Sequence, residues 1–188
     1  MFDGNVESGM DKKELRKELK EIWANVNYWL SFAEAKNAGI LAINIACIAA
    51  VMTTNIFDDC LGLEIILVAG LLIAMLITLV SLTPLIYVVK IRRPEKSDND
   101  NPLFYGDIVK YEYKEYLEYL AKRYGEEEIK WGDYEEDLAR EIVENSKITL
   151  LKYRYFKFTA RIDMLLILCG FVRCVMVGIF FFKQYFFA

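Results

Sequence analysis

The stretch that decides the fold is Ala38-Gly39-Ile40-Leu41-Ala42-Ile43-Asn44-Ile45-Ala46-Cys47-Ile48-Ala49-Ala50-Val51-Met52-Thr53-Thr54-Asn55-Ile56-Phe57, which contains no charged residue. A helix needs about 20 predominantly apolar residues to cross a hydrocarbon core about 30 Å thick. Ile65–Val89 is also free of charge, and Met164–Phe182 carries one charged residue, Arg173. Proline and glycine are sparse, so the alternation of a membrane β-barrel is not supported. The expectation is an all-α integral membrane protein with three transmembrane helices and a helical cytoplasmic region.

Charge sets the expected topology. Of the 23 Lys and Arg residues, only Arg173 and Lys183 fall outside the first 37 residues and the Lys90–Arg161 segment. Basic residues near span ends mark the cytoplasmic side. Lys90, Arg92 and Arg93 directly flank the second stretch. Both basic segments are therefore expected in the cytoplasm, with the N-terminus inside, in a multi-pass arrangement. The loop 58–64 holds Asp58, Asp59 and Glu64 and no cation. It is expected outside. The charged N-terminal segment lacks the short apolar core of a signal peptide, so the first span is expected to serve as its own insertion signal.

The resulting organisation is a disordered tail at 1–10 and an amphipathic cytoplasmic helix at 11–37. Spans follow at 38–57 and 65–89, joined by the external loop 58–64. A cytoplasmic helical region occupies 90–161, and a third span 162–183. In the first helix Leu15, Leu19, Ile22, Val26, Trp29 and Ala33 recur at alternating steps of four and three. That is an a/d seam. It fits either packing on the chain's own cytoplasmic helices or a coiled seam between subunits. Pro84 is expected to end or kink the second span. The polar stretch from Arg93-Pro94 to Asn101-Pro102 reads as a linker. A helix is expected from Asp107 to Tyr124 with Val109, Tyr113, Tyr116, Leu120 and Tyr124 on one face, stopped at Gly125 and followed by an acidic turn at Glu126–Glu128. Asp133 with Glu136 reads as a capping-box start for one long helix leading into the third span.

The absence of histidine removes His-based acid–base and nucleophile systems and nearly all zinc enzymes. The cysteines Cys47, Cys60, Cys169 and Cys174 have no metal-ligand spacing, and three lie in apolar stretches where cysteine acts as a small hydrophobe. No glycine-rich phosphate loop and no carboxylate pair with catalytic spacing is present. No enzymatic activity and no resident cofactor or metal is expected.

Three features remain. Arg140, Lys147, Arg154 and Arg161 recur every seven residues, with Lys152, Lys157 and aromatic residues between them. They fit a juxtamembrane anchor to lipid headgroups or a phosphate-binding stripe, because the Arg fork matches phosphate oxygens and aromatic rings stack on bases. Asn44 and Arg173 are polar groups in apolar stretches, costly unless partnered. Asn44 fits a helix-to-helix contact or a pore lining. Arg173 fits snorkelling to the outer surface or a pore or subunit contact, with Asp163 and Glu64 as acidic candidates for pairing. Asp58, Asp59 and Glu64 fit a solvated loop or a cation-attracting pore mouth. The stripe Ala38, Ala42, Ala46, Ala50 permits close helix approach.

Three segments together resemble the Pycsar-system effector family of bacterial antiphage membrane proteins. They are Ala35-Lys36-Asn37-Ala38-Gly39-Ile40-Leu41-Ala42-Ile43-Asn44, Asn101-Pro102-Leu103-Phe104-Tyr105-Gly106-Asp107-Ile108, and Asn145-Ser146-Lys147 through Lys152-Tyr153-Arg154. The middle segment is the most specific. The resemblance implies an inner-membrane effector acting beside a nucleotide cyclase or nucleotidyltransferase and impairing the membrane in response to its product. It brings forward Lys36, Asn101, Asp107, Lys147 and Arg154 as matched positions. With no separate cyclic-nucleotide-binding domain attached, a nucleotide or short oligonucleotide would bind the helical cytoplasmic part. The expected nucleotide contacts are Arg140, Lys147, Lys152, Arg154, Tyr105, Asp107 and Lys36. The expected assembly is an oligomeric pore or ion channel of identical subunits in lipid. The alternative is a scaffold without a channel that recruits a cytoplasmic partner.

Overall fold

The computed structural model describes residues 12–57, 59–83, 93–124 and 131–187. The expected tail at 1–10, Asp58, the residues from Pro84 to Arg92, Gly125 and the acidic turn at Glu126–Glu128 lie outside the described residues. Among the described residues every regular element is helical: α1 (Lys12–Thr53), a 3-10 turn (Asn55–Phe57), α2 (Leu61–Leu82), α3 (Tyr105–Ile108), α4 (Tyr113–Tyr124) and α5 (Asp133–Phe187). Of these, α1, α2 and α5 are long and apolar enough to cross a membrane. The chain divides into two units, residues 1–32 with 89–151, and residues 33–88 with 152–188. Both α1 and α5 pass without a break from one into the other.

The first unit is held by the α1 seam. Leu15, Leu19, Ile22 and Val26 are fully buried among Ile108 and Tyr111, Tyr116, Leu117 and Leu120 of α4 and its approach, and Ala139, Ile142 and Val143 of α5. The seam is therefore filled by the chain's own helices. The expected helix from Asp107 to Tyr124 is broken. The backbone turns at Lys110 and Tyr111, whose N–H groups bond to the carbonyls of Asp107 and Ile108. Lys110 sits at the break, its ammonium bridging Asp100 Oδ1 at 2.5 Å and Asp107 Oδ1 at 2.6 Å. The break resets the face of α4. Tyr116, Leu117, Leu120 and Ala121 turn inward, whereas Tyr124 is exposed.

The start of α5 also differs from the expected box at Asp133 and Glu136. The carbonyl of Gly132 accepts the first helical bonds from Glu135 and Glu136, and Glu135 Oε2 accepts the Gly132 N–H at 2.9 Å. This is the glutamate half of a capping box, one residue closer to the N-terminus than expected, with no side chain on Gly132 to return the bond. Glu135 is drawn inward because Arg16 Nη2 lies 2.7 Å from its Oε1. That fixes α1 to the start of α5.

The second unit contains the apolar segments. Their outward side chains are large and exposed in the isolated chain, among them Ile65, Ile66, Phe171 and Phe180. Such a surface is suited to lipid and not to water. α2 begins at Leu61, inside the stretch expected as a loop, and ends at Leu82. Thr83 is already extended, as expected of a residue before proline. A Cβ at Gly70 would stand 2.9 Å from Leu166 Cδ1, so glycine permits the close approach of α2 to α5. The alanine stripe of α1 is exposed, while Asn37, Ile40 and Asn44 face inward.

Candidate functional site

The segment Asn101–Ile108 folds into a self-satisfied loop in the first unit. Asn101 Oδ1 accepts the Leu103 N–H at 2.9 Å, and Asp107 Oδ2 accepts the Asn101 N–H at 3.0 Å. The Tyr116 hydroxyl donates to the Pro102 carbonyl at 2.6 Å. Just before it, Asp100 is buried and accepts from Lys110, from the Ser97 N–H at 3.0 Å and from the Tyr111 hydroxyl at 3.0 Å. Burial alone would raise the Asp100 carboxyl, but these donors hold it below the ordinary carboxylate range. Burial and Asp100 together push the Tyr111 hydroxyl well up. Asp107 is thus occupied in ordering the loop, and Tyr105 packs on Trp29 with ring centroids 6.1 Å apart.

The first unit also holds a cavity that the sequence did not reveal. It has a volume of about 680 Å³ and is lined by Lys96, Ser97, Asp98, Tyr111, Tyr119, Lys122 and Arg123. Tyr111 and Tyr119 stack with centroids 4.8 Å apart and planes at 14°. Lys96 lies 5.2 Å from the Tyr111 ring and pairs with Glu115 at 2.8 Å. Arg123 donates to the Tyr119 hydroxyl at 3.0 Å. Three cations against one acid in the lining favour an anion, and stacked phenol rings offer a flat apolar edge beside them.

The expected contacts are distributed over both units. Arg140 is exposed, its guanidinium centred 4.7 Å from the Tyr113 ring and its Nη1 3.8 Å from Asp137 Oδ1. Lys147 pairs with Glu144 at 2.6 Å. These two belong to the first unit. Lys152, Arg154 and Lys36 belong to the second. Lys152 is buried, its ammonium 2.9 Å from the Ser81 carbonyl and 3.2 Å from Glu34. Arg154 is exposed. Lys36 lies 5.4 Å from the Tyr153 ring and 5.3 Å from Phe156.

Among the groups expected at a pore, Asn44 is fully buried and Glu64 is half-buried in the first turn of α2. Arg173 donates to the Ile56 carbonyl at 3.1 Å and pairs with Asp59. Its acidic partner is therefore neither Asp163 nor Glu64, because the turn after α1 carries Asp59 to its level. This bond holds the Asp59 carboxyl below its ordinary range.

The family comparison matches the Pycsar effector protein domain across residues 18–183, taking in both units. The chain belongs to the Pycsar effector family. It is a membrane protein carrying the transmembrane effector domain of an antiphage system, one that includes a cyclase producing a cyclic nucleotide signal. One curated relative is the Pycsar effector protein PtPycTM of Propioniciclava tarda. It is 24% identical over 157 residues, covering 82% of this chain and 76% of the relative. No solved structure matches the chain. The loop Asn101–Ile108 that carries the Pycsar resemblance is, in this member, tied to α4 by the bond from the Tyr116 hydroxyl to the Pro102 carbonyl.

Proposed function

We propose that this Pycsar effector is a nucleotide-responsive protein whose first unit binds the signal and whose membrane spans, assembled from several copies, then permeabilise the inner membrane. The observation that carries the reading is the cavity with Lys96, Lys122 and Arg123 around the stacked Tyr111 and Tyr119. Cations suit the phosphate of a cyclic mononucleotide or a short oligonucleotide, and the rings suit its base. The signal would come from a partner cyclase or nucleotidyltransferase. The first unit and the N-terminus would face the cytoplasm, following the basic residues. Within the first unit Arg140 keeps an exposed guanidinium group as a further phosphate contact, with Lys147, Tyr105 and Asp107 as supporting positions. Lys152 acts by holding helices together. Asn44, Arg173 and Glu64 would shape the path through the spans. The unbroken α1 and α5 offer a physical route for coupling, and gating requires the ligand to favour one state over the other. The exposed alanine stripe of α1 is available to a second copy. A scaffold recruiting a partner through the α1 seam finds less support, because that seam is filled by α4 and α5.

The test is dye or ion flux from liposomes holding the full chain, challenged with cyclic mononucleotides and short oligonucleotides. At least one ligand is expected to raise the flux. Lys122→Glu with Arg123→Glu is expected to weaken the response by roughly tenfold or more, because a charge-assisted contact is worth about 1.5–3 kcal/mol. Silence to every ligand, or an unchanged response in the double variant, would refute the reading.

A further inference from the structure

The buried side of the membrane unit is unusually polar. α1 turns Asn37 and Asn44 inward, α2 turns Thr78 and Ser81, and α5 turns Thr159 and Asp163. Three of these six groups donate a hydrogen bond, while Ser81 Oγ and Asn37 Oδ1 have no partner among the described residues. Thr78 and Thr159 donate to the carbonyls of Ala74 and Tyr155, one turn back in their own helices. Asn37 donates to the carbonyls of Ala33 and Lys152.

Asp163 and Asn44 stand apart because each has two side-chain polar atoms and neither atom is satisfied, and because Asp163 is an acid. Asp163 is 4% exposed and Asn44 is 0% exposed. Neither carboxylate oxygen and neither end of the amide reaches a hydrogen-bonding partner. Yet the two side chains lie beside each other, short of hydrogen-bond geometry. The Cys47 thiol, one turn further along α1, is within the field of the carboxylate. α2 brings Leu67, Leu71, Ala74, Thr78 and Ser81 to its buried face, none of them charged. The nearby cations are committed elsewhere: Lys152 to Glu34 and the Ser81 carbonyl, Arg173 to Asp59 and the Ile56 carbonyl. Arg161 faces outward.

A carboxylate removed from water without a counter-charge neutralises. We propose that Asp163 and Asn44 form a binding site for one monovalent cation, a proton or an alkali-metal ion, between α1 and α5. The donors are hard oxygens: two from the carboxylate and one from the amide, the kind that suits such ions. A single carboxylate calls for a single positive charge. Among the described residues no group of three acidic, cysteine or histidine side chains gathers to hold a metal of higher charge. With a proton bound, the acid O–H donates to the Asn44 carbonyl oxygen and the Asn44 amide N–H donates to the second carboxyl oxygen, closing a neutral ring. With an alkali ion, the amide turns its oxygen to the ion. This site goes beyond the nucleotide-responsive reading and needs no nucleotide, so either can fail alone.

The experiment uses the full chain in detergent and in liposomes. A membrane-soluble carbodiimide, which reacts with protonated carboxyls, is followed by peptide mass spectrometry at Asp163 from pH 5 to 9. The buffers contain NaCl, KCl or choline chloride at equal ionic strength. The expected result is modification that slows as pH rises. If an alkali ion is the occupant, Na⁺ or K⁺ protects and choline does not, by about tenfold when the salt stands at ten times its dissociation constant. Dependence on pH without dependence on salt assigns the occupant as a proton. Thermal unfolding supplies a second measurement, comparing the full chain with the isosteric Asp163→Asn. The native chain is expected to lose stability in choline at high pH, and the variant to lose that dependence. Modification indifferent to both pH and salt, or melting curves of the two proteins that run parallel under every condition, overturns the proposal.

Discussion

Replacing Lys152 by methionine separates a helix-holding role from a ligand-binding one. The ammonium is 5% exposed, 2.9 Å from the Ser81 carbonyl and 3.2 Å from Glu34. Ser81 lies in the last turn of α2, where carbonyls run out of intrahelical donors and the helix end is negative. A charge-assisted bond there is worth about 1.5–3 kcal/mol. The Glu34 side chain is 51% exposed, so its ion pair adds at most about 1 kcal/mol. Methionine preserves most of the packing volume and removes the cost of burying an ammonium, which offsets part of the loss. The net expectation is a destabilisation of about 2 kcal/mol for Lys152→Met and no more than about 1 kcal/mol for Glu34→Ala. Denaturant unfolding of the full chain in detergent, followed by helical circular dichroism, reads both. The reasoning is wrong if Lys152→Met matches the native stability, or if Glu34→Ala costs as much as Lys152→Met.

Three further outcomes follow from the geometry. Asp100→Asn should destabilise the first unit by about 2 kcal/mol through the loss of charge-assisted bonds; hydrogen exchange of the α4 amides would report it. Because folding lowers the Asp100 pKa, its contribution is complete above the unfolded value near about 4 and is lost as pH falls through the folded value. An acid titration of α4 exchange should show this loss, and the Asp100→Asn variant should lack that part of it. Glu135→Ala removes the cap of α5 and the Arg16 pair together. A cost of about 2–3 kcal/mol is expected, with Arg16→Ala and the double variant closing a cycle whose coupling exceeds about 0.5 kcal/mol.

The sequence showed most clearly what depends on local pattern. The uncharged runs fall mainly in the three helices long and apolar enough to cross a membrane, and the four-three repeat from Leu15 to Ala33 marked a face that is buried except at Trp29, which is half-buried. What escaped it depends on groups distant in the chain. Arg173 and Asp59 are 114 positions apart, and nothing local ties them. The cap of α5 falls one residue early because Arg16, on another helix, attracts Glu135. The helix expected from Asp107 breaks at Lys110, whose ammonium reaches back to Asp100 outside it. The cavity combines a linker lysine with side chains of α4, and Lys96, Lys122 and Arg123 share no periodicity. Asp163 drew notice as a partner for Arg173; its isolation emerges once Arg173 is seen bonded elsewhere.

The Arg173–Asp59 pair also bears on how the protein is made. An arginine in the middle of a nascent span costs roughly 2.5–3.5 kcal/mol on entering the bilayer. Its acidic partner lies in the turn between α1 and α2, which is synthesised more than a hundred residues earlier. When the third span emerges, the hairpin that presents Asp59 and the Ile56 carbonyl is already available to receive it. The contact thus ties the last span to the turn between the first two, and gives its part-buried arginine a partner that its own hydrophobic sequence does not supply.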